Sequence, residues 1–166
     1  RISSKSFPKW VLAFCAVDLV TAGYAFLPFA SAREIYPPAP TFDFLRKDPE
    51  PKRVAPVGVT WGASFELVYG LDSATGYTVV LRQFSRLMAP LGVSGGITSL
   101  SAEKIVQSPG RLLDLANVKY LAATSWNTSA QTMASRPDRF RRVFEDGPVQ
   151  VFENLSVLPR AFLVPA

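Results

Sequence analysis

Trp10 to Ala30 reads WVLAFCAVDLVTAGYAFLPFA, broken only by Asp18, Thr21, Gly23 and Pro28. A helix needs about 20 mainly apolar residues to cross the hydrocarbon core of a bilayer. Arg1, Lys5 and Lys9 precede the run, and no acid does. That asymmetry marks helices entering from the cytoplasmic side. The expectation is an apolar segment over residues 1–30 that ends a transmembrane helix, with the rest of the chain beyond the membrane. Two other readings stay open. A signal peptide has a similar basic start, but this run is longer than a usual h-region and Ala30-Ser31-Ala32 is a loose cleavage signal. Alternatively, Asp18, Gly23 and Pro28 let the second half leave the bilayer and join the domain as a strand or extended arm. Asp18 then caps or pairs locally, whereas in a membrane an ionisable group is a functional candidate.

Composition narrows the chemistry. A chain of 166 residues makes one domain with a real core, or a helix plus a domain of about 130 residues. It begins with Arg1, as expected of a processed product or a piece of a longer protein. The apolar fraction of 48% lies at the upper end for a soluble domain, and the excess sits in the first thirty residues. The net charge of +5 suits an anionic membrane surface and is too diffuse for nucleic acid. There is no histidine, which removes imidazole acid/base catalysis, the Ser-His-Asp triad and most zinc sites. Cys15 is the single cysteine, so the chain has no internal disulfide and no thiolate cluster. It reads as a small buried hydrophobe. No cofactor and no metal site is expected.

Residues 31–52 form a Pro-rich connector, and six prolines fall from Pro37 to Pro56. Such a segment cannot be one long helix. Thr41–Lys47 is expected to make a short turn of helix docked through Phe42, Phe44 and Leu45. The domain then occupies residues 53–166. Arg53–Thr60 is a strand that Pro56 restricts to an edge. Phe65–Leu71 fits helix or strand. Tyr77, Val80, Leu81, Phe84, Leu87, Met88 and Leu91 recur at three and four, predicting a helix over Gly76–Leu91. Ser101 caps a short helix, Ser108-Pro109 starts another, and Asn117 closes it. Val118–Thr124 alternates as a strand, Ser125–Ser135 is loop or short helix, and Phe140–Phe144 with Val149–Phe152 flank a four-residue hairpin connection. Ala161–Val164 is a last strand. The fold class is α+β: a small mixed, mainly antiparallel sheet of four to six strands, with two or three helices on one face, preceded by the apolar segment.

Candidate chemistry is sparse. Gly92–Gly96 lacks the lysine and spacing of a phosphate-binding loop. Glu66 and Asp72 flank a turn; a carboxylate pair can hydrolyse glycosides at the right separation, but a solvated surface is the simpler reading. Arg136, Arg139, Arg141 and Arg142 are the densest basic cluster. They suit a phosphate or anionic lipid headgroup, or else a solvated strand edge protected by charge. Asn127-Thr128-Ser129 and Asn154-Leu155-Ser156 match the glycosylation pattern, which matters only in a eukaryotic cell.

Three stretches together resemble one family. They are Val68–Tyr77 (VYGLDSATGY), Leu112–Leu121 (LLDLANVKYL) and Val151–Asn154 (VFEN) followed by Leu158–Phe162 (LPRAF). In this order and spacing the chain resembles the YfhO-like bacterial polytopic membrane proteins, regarded as relatives of the GT-C glycosyltransferases. It departs at Trp61–Ser64, where Pro-Asn is usual, and at Thr78, where Asp is. The resemblance implies the late extracytoplasmic domain of an integral membrane protein. The parent would transfer sugar from a polyprenyl-phosphate donor to a cell-envelope acceptor, with its catalytic acid in an early loop outside this chain. It also implies partners: the membrane, a lipid-linked sugar or envelope glycan, and the remainder of the parent. Gly70, Gly76, Asn117, Asn154 and Pro159 suit turns, and Arg160 is placed to pair with Glu153. The alternative is a non-catalytic envelope module that binds a protein or glycan.

Overall fold

A computed structural model describes residues 7–26, 30–58, 60–61, 64–75, 82–91, 100–107, 111–126 and 128–163. The chain separates into two compact units, Arg1–Pro37 and Pro38–Ala166.

The first unit contains α1 (Phe7–Phe26) and α2 (Ala32–Ile35). Twenty residues give α1 a length of about 30 Å. Its apolar side chains are spread around the axis with almost no amphipathic bias, and every side chain from Phe7 to Ala22 is exposed. Among the described residues no helix is long and apolar enough to cross a membrane. What stands in place of the expected span is an exposed apolar helix diluted by Lys9 and Asp18. The helix runs through Asp18 and Gly23, so the second half forms no strand or arm. The Thr21 hydroxyl donates back to the Val17 carbonyl at 2.8 Å, a local bond that a helix tolerates. Cys15 is exposed rather than buried, because no face of α1 packs into a core. Ser31 donates its N–H to Glu34 at 2.7 Å, which fixes the start of α2.

The second unit is built on four strands: β1 (Arg53–Pro56), β2 (Val118–Thr124), β3 (Phe140–Asp146) and β4 (Val149–Asn154). Their order is β1-β2-β4-β3. β1 runs parallel to β2 and the other pairs are antiparallel, so the mixed, mainly antiparallel sheet is as expected. Pro56 lies on the edge strand. The Val57 N–H pairs inward with Ala122 and the Pro56 carbonyl accepts outward from Leu100, so the missing proline donor leaves no gap in the β1–β2 ladder. On the same outer side Val54 exchanges bonds with Asp72 and Ala74. Two short bridges thus cover this edge.

Helices lie on both faces of the sheet, not one. α3 (Pro40–Lys47) and α4 (Phe65–Val68) stand on one side. There Phe42 and Leu45 pack with Val54, Leu71, Tyr120 and Val151. Phe42 stacks on Tyr69 at 4.1 Å, and Phe44 on Phe144 at 4.6 Å, so α3 docks through the three residues expected of it. The other side carries α5 (Arg82–Met88) with a 3-10 turn (Ala89–Leu91), α6 (Ala102–Gln107), α7 (Leu112–Leu115) and α8 (Thr128–Ala134). Met88, Leu91, Ile105, Leu113 and Met133 cover Leu121, Ala123 and Phe152 there. β2 is therefore buried on both faces, and only Lys119 is half-exposed. Its small residues, Ala122 and Ala123, do not betray a solvent face because there is none.

Further expectations change. The stripe over Gly76–Leu91 buries only Met88 and Leu91 among its described residues; Phe84 and Leu87 are exposed. Tyr77, Val80 and Leu81 fall outside the described residues, as do the Gly92–Gly96 loop and Ser108-Pro109. Asn117 does close α7, at φ 56°, and its N–H bonds back to Asp114. The β3–β4 connection is two residues, not four, since Asp146 pairs with Val149. Gly147 takes φ 55°, the positive value a two-residue hairpin wants at its first position. Residues 161–163 form no strand.

Candidate functional site

The three stretches that carry the family resemblance meet at one junction. Asn154, at the end of β4, donates from Nδ2 to Asp114 Oδ1 at 2.8 Å and to the Val118 carbonyl at 3.1 Å. Asn117 donates to the Leu158 carbonyl at 2.9 Å, and the Leu158 N–H returns to the Asp114 carbonyl. Arg160 forms an ion pair with Asp72, beyond the Gly70 turn at φ 74°. Glu153, its expected partner, is held instead by Arg141 at 2.7 Å. Asp114 is 2% exposed and Asn154 1%. A carboxylate so buried survives only when bonded or paired. Arg139 and Arg111 approach it at 3.6 and 3.7 Å. Asn117 Oδ1 is the one buried side-chain polar atom without a partner among the described residues.

The expectation of a solvated surface holds for Asp72, which is exposed, and fails for Glu66. Glu66 is fully buried. It accepts from Trp61 Nε1 at 3.0 Å and from the Ser73 hydroxyl, and Ser73 also receives the Thr75 N–H. Asp72 is engaged by Arg160, so Glu66 and Asp72 do not act as a pair. Asp48, following α3, takes Lys119 Nζ at 2.7 Å and the Tyr120 hydroxyl at 3.0 Å. Burial pushes its carboxyl up, but Lys119, the Glu50 N–H, Tyr120 and the Lys52 charge outweigh this and hold it below the usual range. Burial, with the Asp48 carboxylate beside it, pushes the Tyr120 phenol up to about 12. Burial works against the Lys119 ammonium, yet its bonds to Asp48 and Glu50 raise it overall. Lys52 stands at i+4 from Asp48, but the closest side-chain partners of that carboxylate, Lys119 and Tyr120, come from a distant strand. Glu66 has no basic residue at helical or strand spacing, and its partners are the uncharged Trp61 and Ser73.

The four arginines of the basic cluster do not converge. Arg136 chelates Asp138 at 2.9 Å and holds that carboxyl below its ordinary value. Arg139 turns inward toward Asp114 and stacks beside Phe140 at 5.3 Å. Arg141 and Arg142 are consecutive on β3 and point to opposite faces of the sheet. A bulge between Arg142 and Phe144 inserts Val143 without a partner. Consequently Arg142, opposite Phe152, and Glu145, opposite Gln150, fall side by side on one face. Arg142 Nη1 meets Glu145 Oε2 at 3.2 Å, and Gln150 Nε2 donates to Glu145 Oε1 at 3.2 Å. Here the hairpin runs past α8 and leaves an open groove of about 410 Å³, floored by Phe140 and Phe152 and bounded by Ala134, Pro137 and Leu155, with Arg141, Arg142 and Gln150 at its lining.

Among the described residues no group of three or more His, Cys, Asp or Glu is placed to hold a metal ion. The buried acids are bound to partners from their own fold, which suits cohesion better than proton transfer. The chain matches no family model, no curated protein and no solved structure.

Proposed function

We propose that this chain is the extracytoplasmic domain, with the end of a transmembrane helix before it, of a bacterial integral membrane protein similar to the YfhO-like relatives of GT-C glycosyltransferases. The parent transfers a sugar from a polyprenyl-phosphate donor to an envelope acceptor. This part does not perform the chemistry; it stabilises the membrane core or shapes the acceptor side. Arg142 is its contact to a phosphate, and Arg141 stays with Glu153 on the opposite face. Arg139 belongs to the Asp114 junction instead.

The observation that carries the membrane seat is α1: an apolar helix exposed from Phe7 to Ala22 with no polar face. A helix apolar all round needs lipid or other helices as its surroundings. The order of the three matched stretches supports the family, and their mutual contact explains why they occur together. The bonded state of Glu66, Asp72 and Asp114 supports a non-catalytic role within a larger enzyme, and equally the reading as an envelope module binding a glycan or protein.

Fractionation of the expressed chain tests the seat. It is expected to stay with membranes after a high-salt, high-pH wash, and Leu12→Glu with Val17→Glu should release it. A wild-type chain found in the wash overturns the seat. The enzyme reading requires the surrounding coding frame to specify further transmembrane helices and an acidic early loop; a frame without them leaves the envelope module.

A further inference from the structure

We propose that the open face of the β3–β4 hairpin is a binding site for a small phosphate monoester with an apolar substituent, and that Glu145 occupies its anion position in the unliganded protein. The inference rests on the phosphate contact proposed for Arg142, but not on the membrane seat of α1.

The geometry starts with the bulge. Regular alternation would put Arg142 and Phe144 on one face; the unpaired Val143 puts Arg142 and Glu145 there instead. Arg142 forms an ion pair with one oxygen of the Glu145 carboxylate and Gln150, from the neighbouring strand, donates to the other, each at 3.2 Å. Two donors converging on two oxygens describe a receptor for an oxyanion. Glu145 is a weak holder of it, since the pair is about half-exposed on both sides and an exposed pair of this kind stabilises little. A ligand oxyanion can therefore displace it without opening the core.

The rest of the groove selects the ligand. Its volume of about 410 Å³ falls in the range of small-molecule pockets. Arg142 brings the guanidinium, since Arg141 turns its own to Glu153 on the other face. A dianionic phosphate, with its greater charge, gains more from that guanidinium than a carboxylate does. Phe140, Phe152, Leu155, Ala134 and Pro137 offer an apolar floor and walls to whatever the phosphate carries. A phosphodiester carries one negative charge where a monoester carries up to two, so the Arg142 guanidinium favours the monoester.

Titration of the full chain with butyl phosphate, followed by the Arg142 Nε–H and Gln150 Nε2–H resonances, tests this. Saturable shifts at both groups are expected, with butyrate at least several-fold weaker. Arg142→Gln should weaken butyl phosphate at least about tenfold, the loss of a charge-assisted bond. Glu145→Gln should tighten it about two- to fivefold by removing the competitor. Glu103→Gln, the same charge change on α6, should leave it unaltered. The proposal is overturned if Arg142→Gln binds as the wild type does, if Glu145→Gln brings no gain, or if Glu103→Gln brings an equal gain. Equal binding of butyrate overturns the phosphate, and tighter binding of dihexanoyl phosphatidylglycerol overturns the monoester in favour of a lipid. Release of the α1 variants from the membrane fraction leaves all these outcomes unchanged, so the two readings fail separately.

Discussion

Asn154 and Asp114 show what a single amide does when its partner is a buried acid. The amide bridges Asp114 and the Val118 carbonyl, and its own oxygen takes the Ser156 N–H at 3.2 Å. Asn154→Leu keeps the volume and strips a donor from a buried carboxylate. It should destabilise the domain by about 2–4 kcal/mol in urea unfolding, and Asn154→Asp by at least as much. Asp48 gives a pH signature. Its carboxyl lies below the usual range when folded. The stability it contributes is present above its unfolded pKa of about 4 and fades as pH falls through the folded value. The stability gap between wild type and Asp48→Asn should therefore shrink on acidification, and a constant gap from pH 7 to pH 2 would refute the assignment. At the alkaline end Tyr120 is neutral up to about 12. Its contribution is complete below about 10, the ordinary phenol value, and is lost as pH rises through about 12. An absorbance titration should show one tyrosine ionising late, and Tyr120→Phe should remove it. None of these partners was legible along the sequence. Asn154 and Asp114 are 40 residues apart, and Tyr120 and Asp48 are 72 apart, beyond the reach of any local pattern.

At the level of elements, strands were easier to read than helices. β2 coincides with Val118–Thr124, and the hairpin with its two apolar runs around Asp-Gly, because β-rich composition and turn residues act locally. α3 was also legible, from three apolar residues on one short face. α4 and α7 have four residues each, too few to display a 3.6-residue period. The Gly76–Leu91 stripe overstated burial, since Phe84 and Leu87 remain exposed. The connection between β3 and β4 is sensitive to one conformation. Gly147→Ala meets open space and still must adopt φ 55°, so it should cost about 1–2 kcal/mol as a shift of the unfolding midpoint. Leu45→Ala, at a site with no exposure, should cost about 2–5 kcal/mol. Loosened contact of α3 should appear as faster amide exchange there, ahead of global unfolding.

Across the molecule, the two units differ in what holds them. The second has a sheet covered on both faces; the first is an apolar helix and a short turn of helix. Leu12→Glu with Val17→Glu should alter membrane association and leave the unfolding midpoint of the second unit unchanged. A large shift in that midpoint would show that the units depend on one another. The candidate groove was half visible in advance: Arg141 and Arg142 stood out as charge, but the bulge that sets Arg142 beside Glu145 is a property of strand register. The sequence spacing of three gave no hint of it, because strand neighbours on one face are expected at two.

The junction between Asp72, Asp114, Asn154 and Arg160 also sets the order of events when the chain is made. Residues 88 apart must both be present before the Arg160–Asp72 pair can form, and β1 finds its parallel neighbour only after Val118 has emerged. A chain made from its N-terminus thus carries β1 without its parallel neighbour until β2 follows, with only the bridge to Ser73 available earlier. The junction closes only once Leu158 and Arg160 are present. Premature termination before Val149 leaves Asp114 without its amide and β2 without its antiparallel neighbour, so such a fragment bares an unpaired strand edge.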